Sequence, residues 1–428
     1  MYEALKGKKL LIIGSDATNM NIIRAAHEMG VYVIAVDGIT DYSKAPAKVA
    51  ADAAWDIDYS DTEAVAQRCL EEKVDGVFAG YSEFRVLSAC RIANRLGLPF
   101  YATEAQIELT RNKRSFKDAC QEYNIPTPKD YCFSYPMSDA DKDLIEYPVI
   151  VKPADYAGRK GISVCYNRQE LDVAVEYAVS KSASRTIIVE DYLEGVEFAS
   201  IYTLKDGQIS LSCVNEKVIT EDQERKTGLC EFLLSPADSY QRYMDELDGN
   251  IRNFIRGIGA KNGPMFFQGI VTKKKIYVFE MGYRINGNND FRIVEKNNGL
   301  SFMKMTIAHS LCGSMCDDLS KDNPLYKNFE CALLFYAHGG TVAKLDYQKI
   351  LSHPNVTDAT EFAWVGKTIP EDGSTAQKIL TAKITAATRE DLLQTVEFAQ
   401  QNITVEDAQG NNMLFKFFDA RKFICGEA

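Results

Sequence analysis

Met265-Phe-Phe-Gln268-Gly-Ile-Val271 and Ile276-Tyr-Val-Phe-Glu280-Met-Gly282-Tyr-Arg284 flank a basic turn, Lys273-Lys274-Lys275. Each is a short, largely apolar run bounded by polar residues, the pattern of two paired strands. Gln268 and Glu280 are equidistant from Lys274. A hairpin symmetric about that lysine therefore sets them opposite each other on one face, and the strand period of two adds Gly282 and Arg284 to it. An amide facing a carboxylate suits a hard cation such as Mg²⁺, which needs only one or two protein donors when phosphates and water supply the rest. Gln268 and Glu280 are thus candidate metal ligands. An ordinary solvated hairpin face has the same composition.

Upstream, Tyr147-Pro-Val-Ile-Val-Lys152-Pro reads as a strand with Lys152 at its end, followed by Ala154-Asp-Tyr-Ala-Gly158-Arg159-Lys160-Gly161 and a strand over 162–166. Arg159 and Lys160 are candidate anion ligands, and backbone N–H groups around Gly158 and Gly161 can form a phosphate-binding nest. A basic exposed hairpin needs no phosphate to exist. No GxxxxGK[ST] sequence occurs, which excludes a P-loop. The β-branched run Thr186–Val189 leads into Glu190-Asp-Tyr192-Leu193-Glu-Gly-Val-Glu197. An acid at a strand end can accept from an adenine amino group, and a second one further on can hold ribose hydroxyls. Either acid is equally readable as a solvated edge residue.

The amino-terminal hundred residues alternate short apolar runs (10–13, 31–36, 74–79) with helical stretches (21–29, 63–72), which predicts a parallel α/β sheet. Gly14 and Asp37 have the spacing of a dinucleotide-binding unit, but the loop between them lacks GxGxxG, so a dehydrogenase is disfavoured. Ser82 and Glu83 follow the third run, at the carboxyl end of a parallel strand where such sheets bind ligands. They are candidate substrate contacts, or a helix N-cap and its first-turn acid. Thr103-Glu-Ala-Gln106 is a capping box. Phe116, Ala119, Cys120 and Tyr123 form a helical stripe ending near Asn124, where Ile125-Pro-Thr-Pro128 marks a junction. Lys113 stands off that stripe.

At 428 residues the chain has room for two or three domains, and 49 basic against 60 acidic residues give a net charge of -11. That balance argues against nucleic acid or an anionic membrane as partner. No stretch is long enough for a membrane span or signal h-region, which predicts a cytoplasmic protein. The 11 cysteines lack CxxC spacing and read as reduced thiols, and Cys312 and Cys316, one helical turn apart, as packing. Four histidines without ligand spacing argue against a zinc site.

Taken in order, Lys113, Lys152, the glycine-bearing loop, Glu190, Glu197, Gln268, Glu280 and Arg284 resemble the ATP-grasp superfamily over nearly the whole chain. The nearest resemblance is to the carbamoyl phosphate synthase large subunit, biotin carboxylases and L-amino acid ligases. The resemblance implies an α/β ATP-grasp fold with an N-terminal Rossmann-like (preATP-grasp) parallel-sheet domain at 1–110. It places a small grasp subdomain at 111–195, and a large subdomain with a carboxy-terminal lid region at 196–428. It implies that Lys113 and Lys152 touch ATP phosphates, that Glu190, Tyr192 and Leu193 frame adenine, and that Glu197 holds ribose. Gln268 and Glu280 hold Mg²⁺, with Mn²⁺ as an alternative. Arg284 and Lys217, the latter from Asn215-Glu-Lys217, are catalytic, and Arg284 also contacts substrate with Ser82 and Glu83. Gly282 departs from the family's Asn, for which Asn286, Asn288 or Asp290 are substitutes.

The activity implied is ADP-forming ligation: a carboxylate becomes an acyl phosphate and is attacked by an amine or ammonia, with a homodimer as the expected assembly. A bicarbonate-activating, biotin-carboxylase-like enzyme is the rival reading, and an ATP-binding sensor or scaffold without turnover the non-enzymatic one. Met303-Lys304-Met305 mimics a biotinylation site but falls in a stretch, 301–311, that reads as a helix. Strands are predicted beyond it at 331–336, 342–345, 361–365 and 383–387, with a helix at 389–401.

Overall fold

A computed structural model describes residues 2–131, 133, 135–154, 161–221, 228–287 and 290–425. The amino-terminal sheet is four-stranded and parallel, in the order Ala53–Trp55, Tyr32–Val36, Lys9–Ile13, Gly76–Phe78. Helices Met20–Glu28, Thr62–Glu72 and Glu83–Leu96 connect and cover it. The strands are continuous apolar runs because both faces are buried: Leu10, Leu11, Ile12 and Ile13 are all fully enclosed. At Gly14 (φ +97) the chain leaves the sheet, and a Cβ there would collide with the Arg85 guanidinium at 2.6 Å. Arg85, paired with Asp16, thus fills the space beside the glycine on which a dinucleotide reading depended.

The capping box at Thr103 forms as expected, opening helix Glu104–Arg111. Asn112 then caps a second helix, Lys113–Glu122, by accepting from Arg114 and Ser115 N–H groups. A small antiparallel sheet follows, Ser163–Cys165, Val149–Pro153, Ile187–Asp191, backed by helix Arg168–Lys181. The rest is organised by an eight-stranded antiparallel sheet, in the order Ile276–Gly282, Gly263–Val271, Val196–Lys205, Gln208–Glu221, Gly228–Ser235, Phe329–Tyr336, Lys378–Ala386, Val356–Glu361.

Helix Phe302–Cys312 is buried on nearly every side and lies between the amino-terminal sheet and the large one. Gly76 is required at that crossing, because a Cβ would meet the Ser310 carbonyl oxygen at 2.5 Å. Met303 and Met305 are buried, while Lys304 pairs with Glu28 at 2.7 Å and Glu295 at 3.3 Å. A lysine so held in a helix is not a biotin acceptor presented on a turn.

Two carboxy-terminal expectations need correction. The run 342–345 is split, with Gly340–Thr341 and Lys344–Asp346 pairing to different partners. The strand expected at 361–365 ends at Glu361, and Trp364 and Val365 stand 62% and 61% exposed on the turn beyond. An apolar pair on a turn imitates a strand end when only the sequence is read.

Candidate nucleotide and metal site

The decisive hairpin forms with one modification. Val271 pairs with Ile276 across a four-residue turn, Thr272–Lys275, so the axis lies between Lys273 and Lys274 rather than on Lys274. A bulge that leaves Phe279 unpaired then restores the alignment, and Gln268 faces Glu280 after all. Neither side chain has a hydrogen-bond or ion-pair partner among the described residues, and both are half-buried. Across the neighbouring strands Gln268 is level with Ala199, and Ala199 with Asn215. Asn215 is 1% exposed and neither its amide nitrogen nor its amide oxygen finds a partner. One pair further along the same face, Glu197 is level with the buried Lys217.

The small sheet brings the opposing charges. Glu190 accepts from Lys117 Nζ at 2.6 Å and also from Lys152 Nζ, and Lys117 reaches Asp130 at 3.3 Å. Burial alone pushes the Glu190 carboxyl up, but Lys152 and Lys117 pull harder and hold it below the usual carboxylate value. Lys117 moves the other way: burial lowers it and Glu190 raises it further, leaving it above an ordinary lysine. Lys113 is lowered by burial and then by Lys152, against the opposing pull of Glu280 and Glu190. Lys113 thus lies within electrostatic reach of Lys152, Glu280 and Glu190, which belong to the small sheet and to the edge strand of the large one. Helix Lys113–Glu122 lies along that edge, where Val278 N–H donates to the Pro126 carbonyl at 2.8 Å.

Gly161 (φ +82) closes the glycine-bearing loop, and a Cβ there would strike Pro153 at 2.6 Å. Gly158, Arg159 and Lys160 lie outside the described residues, as does Asn288. Tyr192 and Leu193, both half-buried, sit in the link between Ile187–Asp191 and Val196–Lys205, where Tyr192 N–H donates to Pro148 O at 3.0 Å.

Glu83 meets Arg284 across 201 residues of sequence. Tyr81 (φ +63) turns the chain sharply from strand to helix, and Glu83 Oε1 accepts from Arg284 Nε at 2.6 Å and Nη2 at 2.5 Å. Ser82 occupies the N-cap position without a side-chain cap bond. Reciprocal bonds from Tyr101 and Tyr283 hydroxyls to each other's carbonyls, 3.0 Å each, pin the two segments together. Phe266 is level with Gly282, whose Cβ would meet its ring at 2.4 Å, and the Arg284 guanidinium carbon lies 5.0 Å from that ring's centre. The ring takes the space an asparagine side chain needs and supports Arg284. Asn286 donates to Asp290, both buried, and leaves its own Oδ1 unpartnered. Two contributors escaped the sequence reading: Phe266, and Lys117, whose i, i+4 relation to Lys113 was the available signal.

Residues 111–285 match the ATP-grasp (A) domain of phosphoribosylglycinamide synthetase. Over that stretch, about two fifths of its length, the chain is similar to an ATP-grasp domain. Phosphoribosylamine–glycine ligase of Fusobacterium nucleatum is 24% identical over 302 residues, 66% of this chain and 68% of the relative. An L-amino acid ligase from Bacillus licheniformis superposes with a TM-score of 0.79 at 19% identity, over 94% of this chain and 99% of that one. The biotin carboxylase domain of Hydrogenobacter thermophilus 2-oxoglutarate carboxylase, in complex with MgADP, ADP and bicarbonate, gives a TM-score of 0.73 at 18% identity, over 93% and 90%. No helix among the described residues is long and apolar enough to cross a membrane.

Proposed function

We propose that this chain is an ADP-forming ATP-grasp ligase that activates a small carboxylate bearing an amino group and joins it to an amine or ammonia. We read Lys113, Lys152, Glu190 and Glu280 as lining one cleft, because Lys113 lies within electrostatic reach of the other three and Gln268 faces Glu280 unengaged on the hairpin. A triphosphate entering that cleft meets two ammonium groups, each offering roughly 4 kcal/mol at about 4 Å in an effective dielectric of ~20. Gln268 and Glu280 fit a hard cation: one carboxylate and one amide oxygen, face to face and unengaged. Mg²⁺ bound there supplies charge neutralisation for phosphate oxygens. In this reading Tyr192 and Leu193 frame the base and Glu197 the ribose.

The Glu83–Arg284 pair suggests the substrate class. A guanidinium binds a carboxylate through paired hydrogen bonds, and a neighbouring carboxylate accepts from an ammonium, so the two together suit an amino acid entering between them. Arg284, braced by Phe266, holds the reacting carboxylate toward the phosphate-binding cleft, and Lys217 offsets charge on the same sheet face as Glu197. The chemistry then rests on positioning and electrostatics rather than on a protein nucleophile. Coupled assays across pairs of amino acids and amines test the reading. It expects ADP and phosphate released only when both partners are present; AMP and pyrophosphate, or ATP turnover needing bicarbonate alone, rule it out.

A further inference from the structure

A pair of thiols lies outside the residues assigned to nucleotide, metal and substrate. Cys312 is the last residue of helix Phe302–Cys312. Gly313 (φ +75) reverses the chain, and Cys316, itself at φ +62, returns its sulfur to 3.7 Å from that of Cys312. The sequence had suggested packing, yet Cys312 is exposed and Cys316 half-buried, whereas Cys69, Cys90, Cys120, Cys165, Cys213 and Cys331 are buried. A disulfide needs sulfurs about 2.05 Å apart, a closure of under ~2 Å that rotation of an exposed side chain can supply. Burial raises the Cys316 thiol, and its hydrogen bond to Cys312 adds to the shift, while Cys312 is the more exposed of the two sulfurs and so the one an incoming disulfide reaches first.

We propose that Cys312 and Cys316 form a reversible intramolecular disulfide by exchange with a small-molecule disulfide, a modification site separate from the ligase chemistry. The Cys312 thiolate attacks one sulfur of the small disulfide, breaking its S–S bond and expelling a thiolate that takes up a proton. Cys316 then loses its proton and attacks the Cys312 sulfur of the mixed disulfide, expelling the second small thiol. Two protein thiols are oxidised and one disulfide is reduced to two thiols. The bond ties the end of the helix to a segment that docks on strand Gln208–Glu221, where Ser212 donates to Asp322 at 2.6 Å and Tyr326 donates to Ser212 O at 2.8 Å.

Equilibration of the full chain in graded mixtures of reduced and oxidised glutathione, acid quenching, alkylation and tryptic mass spectrometry test it. The tryptic peptide Met305–Lys321 contains these two cysteines and no others. The expected product is that peptide two hydrogens lighter, with both sites protected from alkylation together and reopened by dithiothreitol. In Cys316→Ser the expected product is a glutathione adduct on Cys312. Folding is expected to raise the equilibrium constant for closure at least ~10-fold over the same chain in urea, because the structure presents the sulfurs to each other. Free thiols or single adducts throughout in the wild type, or equal constants in folded and unfolded chains, overturn the proposal.

Discussion

Two glutamates at strand positions within electrostatic reach of Lys113 are treated in opposite ways. Glu190, on the small sheet, is 3% exposed and saturated by Lys117 and Lys152. Glu280, on the edge strand of the large sheet, faces only Gln268 and has no ion-pair partner among the described residues. A buried carboxylate is tolerated when its charge is matched within the fold, whereas an unmatched one is retained where something outside the fold completes it. On the proposed reading Glu190 is structural, and Glu280 is the carboxylate open to a ligand.

The largest effect tests the saturated side. Glu190→Gln removes one charge, takes Lys152 from its ion-pair partner and leaves Lys117 only Asp130, and losing one partner of a buried pair costs about 3–5 kcal/mol. Urea denaturation is expected to show that loss with an unchanged m-value; a change below ~1 kcal/mol would show that the cluster contributes little to the fold. The wild type carries the same information in its pH dependence. Because the folded-state carboxyl of Glu190 is depressed, its contribution is complete above the ordinary value of 4.5 and disappears as pH falls below it. The acid limb of the stability curve is expected to flatten in Glu190→Gln.

On the unsaturated side, Glu280→Gln removes charge without removing shape. Turnover is expected to fall on the order of 10²-fold or more, as for other charge-stabilising deletions, while the melting temperature stays within a few degrees. Equal losses of stability in the Glu190 and Glu280 variants would erase the distinction. Arg284→Ala is next in size. Charge-assisted hydrogen bonds are worth about 1.5–3 kcal/mol, so KM for the carboxylate substrate is expected to rise roughly 10–100-fold with KM for ATP little changed. A rise in KM for ATP alone would reassign Arg284 to the nucleotide.

The same contrast separates what the sequence revealed from what it hid. Gln268 and Glu280 were legible because both lie on one hairpin, where position in the chain fixes position in space; even an off-centre turn was compensated by the Phe279 bulge. The parallel sheet was legible because strands buried on both faces leave unbroken apolar runs. Glu83 and Arg284 were each legible as polar residues at strand ends, but no local rule joins residues 201 apart. The saturation of Glu190 by Lys117 was invisible for a related reason: a lysine's partner depends on the packing of the helix that carries it. The burial of Asn215, unpartnered in the middle of a strand, depends on how the strands of the large sheet are ordered around it, which the sequence does not tell.

Gly282 gives the smallest and sharpest test. Its departure from the family's asparagine looks like the loss of a ligand, yet its strand neighbour Phe266 is 2% exposed and the ring occupies the place of any side chain at 282. Gly282→Asn alone is expected to be overpacked and to lose about 1–3 kcal/mol. The displaced ring also stops bracing Arg284, so KM for the carboxylate rises as well. Gly282→Asn combined with Phe266→Ala relieves the clash and is expected to recover stability relative to the sum of the two single changes, a non-additivity that a double-mutant cycle measures directly. Additive costs would mean that glycine and ring do not share that space, and Gly282 would then be a lost ligand rather than room made for the support of Arg284.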